Sequence, residues 1–398
     1  MIKLLPLNEV SEVIRGVTFG SEQSMAEELE DYLPVIRAGN ISEKLELHDD
    51  LVWVPSKLIK DSQKIRYQDI IMCTSSGSAE IVGKIARADE DWNGSFGAFC
   101  AGIRPNKKII DPSYLFHFLS SPEFKQWTRK SSGANIKNIR KSELEQFKIP
   151  LPSLEEQKRI AAILDKADAI RRKRQQAIDL TDQLLRSVFL ELFGDPVTNP
   201  KGWKKIALQN VVSEVIDCPH STPRWTENGK VAIRTSNLTA GGWNWSDKRY
   251  VSEEEYHDRS KRSYVEPGDI ILSREGTVGI AAIVQEDMEI CLGQRLVQLR
   301  PNLGIANSEY ILHILLYELE PERLERAMVG ATSKHLNVKE LRELEIPLPL
   351  LELQDNFKKT VNKITMYKSR LARAALLDEN LFSALTQNAF SGELSQVA

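Results

Sequence analysis

Apolar and polar positions along this chain follow one order of alternation and then follow it again. Residues 1 to about 150 read as a mixed globule dominated by short strands. Apolar stretches at Leu33–Ile36, Leu51–Val54, Asp69–Cys73 and Ala98–Ile103 are separated by Gly, Ser, Asn and Asp turns. A helix is expected from Asp111-Pro112-Ser113, where a capping side chain precedes the run Tyr114–Leu119. In Ile149-Pro150-Leu151-Pro152 each proline pushes its predecessor out of the helical region, so this tract should run extended. Ser153, with Glu156 three residues on, predicts a capping box. From Leu154 to Phe193 there is no Pro or Gly, helix formers dominate, and Gly194-Asp195-Pro196 supplies the stop.

The second half repeats these landmarks. Ile149-Pro150-Leu151-Pro152-Ser153-Leu154-Glu155-Glu156-Gln157 returns 197 positions later as Ile346-Pro347-Leu348-Pro349-Leu350-Leu351-Glu352-Leu353-Gln354. Ile36-Arg37-Ala38-Gly39-Asn40-Ile41 matches Ile233-Arg234-Thr235-Ser236-Asn237-Leu238, and Asp69-Ile70-Ile71 matches Asp269-Ile270-Ile271. Arg104-Pro105-Asn106 matches Arg300-Pro301-Asn302, and Tyr114-Leu115-Phe116-His117 matches Tyr310-Ile311-Leu312-His313. The boundaries expected are a globule over 1–150, a helical segment over 151–196, a second globule over 197–347, and a second helical segment with a tail over 348–398. Such a chain offers two similar but non-identical heads.

Each helical segment carries one apolar stripe. In the first it is Ile160, Ile163, Ala167, Ile170, Ala177, Leu184 and Val188; in the second, Phe357, Val361, Ile364, Leu371, Ala374, Leu381, Leu385 and Ala389. Helices of matched length with matched stripes should pair as an antiparallel coiled coil, each roughly 60 Å long at 1.5 Å rise per residue. The expected architecture is α+β, two strand-rich globules and two long helices related by a pseudo-two-fold repeat. Arg171-Arg172-Lys173-Arg174 interrupts the first stripe, with Arg174 at a seam position. Snorkelling on a solvated face is the plainer reading; a phosphate or subunit contact is the other. Leu350 replaces Ser153 in the second copy, so that helix is expected to fray at its start.

Composition constrains without deciding. The chain of 398 residues suits two domains, and its 41% hydrophobic and 27% charged content is that of a soluble globular protein. No apolar run approaches a membrane span, and Cys73, Cys100, Cys218 and Cys291 form no C-x-x-C pair, so a reducing cytoplasm is expected. The net charge of −3 argues mildly against non-specific gripping of nucleic acid. There is no G-x-G-x-x-G, no Walker-type loop and no Asn-Pro-Pro-Tyr; Asn199-Pro200-Lys201-Gly202 reads as an interdomain turn. The six histidines lack metal-ligand spacing, and His117 and His313, inside apolar helical runs, read as structural. No catalytic residue and no metal ligand is expected.

The tracts IPLPSLEEQKRIAAILDKAD, LLRSVFLELFGDP and NPKGW, with the repeated IPLP-helix unit, resemble the specificity subunit of type I restriction-modification enzymes across essentially the whole chain. That resemblance implies two target recognition domains joined by a coiled coil. It also implies a non-catalytic role on double-stranded DNA, alongside two methyltransferase subunits and, in the full complex, restriction subunits. S-adenosylmethionine, ATP and Mg are then expected on the partners, with no cofactor on this chain.

Base reading in the major groove needs Arg forks or Asn and Gln amides, with hydroxyls and backbone amides fixing register on phosphates. Three repeat-paired places carry such residues: Arg37 and Asn40 with Arg234 and Asn237; Ser75 and Ser76 with Arg274 and Thr277; and Asn135, Lys137, Asn138 and Arg140 with Thr332, Lys334 and His335. The first pair recurs in both copies, which suits a structural turn as well as it suits readout. The other two diverge within a shared frame, as two specificities would, and as unconstrained loops would. The rival readings are an adaptor whose heads bind proteins and a one-chain methyltransferase or nuclease; the missing motifs oppose the latter.

Overall fold

In a computed structural model the chain is described over residues 3–78, 80–130, 137–320 and 336–392. It divides into two compact units: Met1–Gln175 with Arg373–Ala398, and Gln176–Ala372. Both boundaries fall inside long helices, Leu154–Phe193 and Leu351–Ser391, so each unit holds the first half of one helix and the second half of the other.

The first unit is built on an antiparallel sheet in the order Ser11–Arg15, Cys100–Pro105, Ile70–Cys73, Ile85–Arg87. Beside it Val52–Pro55, Tyr32–Ile36 and Ser95–Phe96 form a second sheet whose last pair is parallel. The strands expected near Leu33, Leu51 and Asp69 are present within a residue or two, and the one expected from Ala98 begins at Cys100. The second unit repeats the plan. Val212–Asp217, Leu296–Pro301, Ile270–Ser273 and Ala281–Ile283 make its antiparallel sheet. Trp225–Thr226, Tyr250–Val251, Lys230–Ile233 and Ile290–Leu292 make the other, again ending in a parallel pair. The protein is therefore α+β with an internal duplication.

The tracts that recur in the sequence turn out to be fasteners. Asp69 accepts from Arg104 Nε at 2.9 Å and from its Nη2 at 2.7 Å; Asp269 accepts equivalently from Arg300 at 2.9 Å and 2.9 Å. The helix Pro112–Leu119 is capped by Asp111, which accepts from the Tyr114 N–H at 3.0 Å, and the helix Ser308–Glu318 by Asn307, from the Tyr310 N–H at 2.9 Å. Buried Tyr114 donates its hydroxyl to the Pro150 carbonyl at 2.7 Å, and Tyr310 does the same to Pro347.

The entry to each long helix is held by one glutamine. Gln157 accepts from the Asp111 N–H at 2.8 Å and donates to the Ile109 and Pro152 carbonyls at 3.2 Å and 3.0 Å. Gln354 accepts from the Asn307 N–H at 3.1 Å and donates to the Ile305 and Pro349 carbonyls at 3.3 Å and 3.0 Å. Ser153 caps the first helix by accepting the Glu156 N–H at 3.3 Å, and the Glu156 carboxylate binds Arg159 at 2.8 Å and 2.7 Å. The second helix does not fray where that cap is lost: it begins at Leu351, the equivalent of Leu154, because Gln354 pins it from the globule side.

Within each unit the two helix halves run antiparallel. In the first, Arg171 pairs with Glu379 at 3.4 Å and Arg174 with Asp378 at 3.1 Å. In the second, Asp182 accepts from Lys368 at 2.5 Å, and Phe189 and Phe193 pack on Phe357 at 5.6 Å and 5.3 Å between ring centroids. Phe390 packs edge-on against Tyr114 and Phe118, with Ala389 buried in the same core as Ile160 and Leu164.

The seam on the first helix lies one residue later than its apolar stripe suggested. Ile170 and Leu184 are 53% and 50% exposed, whereas Arg171 makes the cross-helix contact and Leu185 packs on the second core. Ile163, Ala167 and Ala177 are half-buried, and Val188 packs on that core while Ile160 is buried. On the second helix Leu381 is 56% exposed and Phe382 faces inward. Phe357, Val361 and Ile364 are buried, Leu371 and Ala374 half-buried, and Leu385 packs on the first core. Arginines at seam positions hide the true period, since their stems pack while their heads pair across the helices.

Candidate nucleic-acid interface

Arg37 and Asn40 open a short helical turn, and the structure takes Asn40 out of contention for bases. Asn40 is 3% exposed, accepts from the Arg37 N–H at 2.8 Å and donates to the Asp49 carbonyl at 2.7 Å. Asn237 is 2% exposed and does the same, accepting from the Arg234 N–H at 2.9 Å and donating to the Asn244 and Asp247 carbonyls. Amides this deeply buried, bonded internally through both oxygen and nitrogen, do not face a base edge. Arg37 pairs with Asp50 at 2.7 Å and Arg234 with Asp247 at 2.6 Å, so both cations brace the same turn. The bond from Arg234 leads the causes that hold the Asp247 carboxyl below the usual carboxylate range. This recurring tract is framework.

Ser75–Ser76 forms a two-residue strand antiparallel to Lys137–Asn138, registering Ser76 with Lys137 and Ser75 with Asn138. Next in the chain, the Ile139 N–H donates to the Thr74 carbonyl at 2.8 Å, anchoring a buried isoleucine between two exposed polar residues, Asn138 and Arg140. Arg140 stands at the start of the helix Lys141–Glu145. Ser75, Ser76, Asn138 and Arg140 are thus gathered at one place. Asn135, Thr332, Lys334 and His335 lie outside the described residues.

In the second unit the matching position is filled differently. Arg274 is 6% exposed; its Nε lies 3.3 Å from Asp217, and an Nη lies 3.5 Å from His220. Its carbonyl accepts from the Leu336 N–H at 2.9 Å, the counterpart of the Thr74–Ile139 bond. The guanidinium is thus buried beside Asp217 rather than set in solvent. Thr277 remains exposed.

Sequence reasoning passed over the turn that faces these loops. The Thr74 and Ser75 N–H groups both donate to the Phe99 carbonyl, at 2.9 Å and 3.1 Å, and the Arg274 N–H donates to the Arg295 carbonyl at 3.0 Å. In the sequence it is only the two residues between Gly97 and Cys100, or between Gly293 and Leu296, and it carries no motif.

Among the described residues no group of three His, Cys, Asp or Glu side chains could hold a metal ion. His117 is buried and bonded to Asp165 at 2.8 Å. Burial works against the Asp165 charge, but His117, Ser113 and Arg87 together hold its carboxyl below the usual range. His313 instead packs against Phe189 and Phe357, and burial lowers it to about 4. It borders a cleft of about 720 Å³ within the second unit, on which Lys358 pairs with Glu309, Lys368 with Asp182 and Arg186 with Glu320. Both histidines are structural. Burial likewise pushes the Cys100 and Cys291 thiols up to about 12.

The whole chain has relatives of known kind. The specificity subunit of the EcoKI type I restriction enzyme of Escherichia coli K12 is 29% identical over 98% of this chain and 89% of its own length. That of StySPI from Salmonella potsdam is 45% identical over 40% of this chain and 35% of its own. Among solved structures, the type I restriction-modification S subunit from M. genitalium superposes with a TM-score of 0.57 at 14% identity, over 98% of this chain and 96% of that one. A chain from a structure of the assembly and conformational transition of the type I system gives 0.55 at 20%, over 98% and 97%. Residues 3–180 and 200–372 of the present protein each match the type I restriction modification DNA specificity domain, and it belongs to that family.

Proposed function

We propose that this chain is the DNA sequence-specificity subunit of a type I restriction-modification system and is not itself catalytic. Each unit reads one half of a two-part target in double-stranded DNA. The long helices and adjoining faces carry two methyltransferase subunits, one per repeat, and through them the restriction subunits. S-adenosylmethionine, ATP and Mg belong to those partners, which flip and methylate the adenine. The assembly works in the cytoplasm, where the DNA is.

The observation that carries this reading is the division of labour inside the duplication. Residues that recur between copies, such as Asp69 and Asp269 or Gln157 and Gln354, make internal bonds. Residues that diverge, such as Ser75 and Glu275, sit in loops of one common frame. Two specificities mounted on one scaffold require that pattern.

The test is an exchange. Replacing residues 1–150 by the equivalent globule of another specificity subunit, in cells that also make the methyltransferase, should change one half of the methylated motif. Methylome sequencing in which both halves change, or neither does, defeats the assignment of one half-site to each globule.

A further inference from the structure

We propose that the two-residue turn at Ala98-Phe99 in the first unit and Gln294-Arg295 in the second is a base-reading element, Phe99 meeting a thymine methyl group and Arg295 a guanine. The inference rests on the DNA-reading function above and names the residues that would execute it.

The turn occupies the same frame in both units. It leaves a short strand paired in parallel with its neighbour, Ser95–Phe96 in one copy and Ile290–Leu292 in the other, and enters the central sheet strand. Gly97 and Gly293 donate their N–H groups to the Ile36 and Ile233 carbonyls at 2.9 Å and 2.8 Å. The carbonyls of Phe99 and Arg295 are both tied to the loop that follows Cys73 or Ser273. The anchoring bonds are therefore shared while the side chains differ completely, Ala-Phe against Gln-Arg.

Both apex side chains stand in solvent. Phe99 is 69% exposed, the reverse of where burial places a phenyl ring, and its carbonyl accepts from the Thr74 hydroxyl at 3.1 Å as well as from the Thr74 and Ser75 N–H groups, with Ser76 next in the same loop. One exposed apolar side chain beside a serine-bearing loop suits a base edge: the ring takes the thymine methyl while the Ser75 and Ser76 hydroxyls meet phosphate. Arg295 has φ +66°, a left-handed backbone that glycine would hold without strain. Strain kept under a functional side chain is a recurrent signature of sites. Its side chain is 62% exposed and braced by Glu275, 3.2 Å from Nε, which steadies a guanidinium for a fork contact with guanine N7 and O6. Gln294, donating to the His220 carbonyl at 2.7 Å, fixes the turn from its other side.

The experiment uses the complex of this chain with its methyltransferase subunits, bound to a randomised two-part DNA library. Arg295→Ala should relax one base pair of one half-site and weaken cognate binding roughly 10- to 100-fold, with non-cognate binding unchanged. Arg295→Lys should leave that base pair relaxed, because an ammonium keeps the charge without the fork. Phe99→Ala should relax one position in the other half-site, and Phe99→Leu should keep it. Melting curves and assembly of each variant complex report folding separately. Two results overturn the proposal: motifs unchanged at every position, or an Arg295→Ala loss that is uniform across sequences with a salt slope reduced by about one, which marks a phosphate contact. A wild-type complex with no split motif would instead defeat the functional reading beneath it.

Discussion

Single side chains decide how each globule meets its helix. Gln157 satisfies one backbone N–H and two carbonyls at once, so Gln157→Leu strands an N–H at the helix entry. An unpaired buried donor costs about 1–3 kcal/mol, and the expected result is that much lost stability, read by urea unfolding, with faster amide exchange at Asp111. His313 makes a pH prediction whose direction is fixed. Burial lowers it from 6.5 to about 4 in the folded chain, so the unfolded chain binds the extra proton first. Its contribution is complete above pH 6.5 and declines as pH falls toward 4, by up to about 3 kcal/mol at 1.36 per pKa unit. His313→Gln should flatten the stability profile across that window. Of these residues the glutamines were legible in the sequence as part of a repeated tract. The burial of Asn40 and Asn237 was not, since the pattern Arg-x-x-Asn serves a turn and a base edge equally well.

At the scale of elements, the period of a helix misled by one residue. Ile170 is apolar and Arg171 is not, yet Arg171 crosses to Glu379 and rests on the Phe382 ring at 5.5 Å. Hydrophobicity counts atoms by residue type, while a seam sorts them by direction, and long cationic stems satisfy the seam without announcing it. The Arg174–Asp378 pair gives a double-mutant test. Each side chain is partly sheltered, so Arg174→Leu alone or Asp378→Leu alone should destabilise the first unit by about 1 kcal/mol or more. The double replacement should recover most of that loss, since apolar seam residues replace ion pairs at little net cost. Thermal melts of the four species check it; additive losses would mean the pair is not coupled. Strand positions, by contrast, were readable because alternation and turn residues agree with the sheets that form.

For the whole molecule, linear boundaries and compact units differ in kind. A linear reading assigns the last helix to the second half of the chain, whereas residues from Arg373 onward belong to the first unit. No local pattern could announce this, because it depends on where Phe390 finds Tyr114 and Phe118. Removing residues 373–398 takes Phe382, Leu385, Ala389 and Phe390 from the first core. Burial of one such aromatic ring is worth about 1.5–3 kcal/mol, so the expected outcome is unfolding of the N-terminal globule. The second unit should stay protected in hydrogen exchange, as all its core side chains lie before residue 373.

That Phe390 packs on the core of the earlier globule also sets an order of events at the ribosome. The usual rule, by which the earlier-made domain finishes first, is reversed. The uninterrupted stretch Gln176–Ala372 can close as soon as it emerges, while the earlier-made half must wait, with Tyr114 and Phe118 uncovered, until the stretch carrying Phe390 has been made.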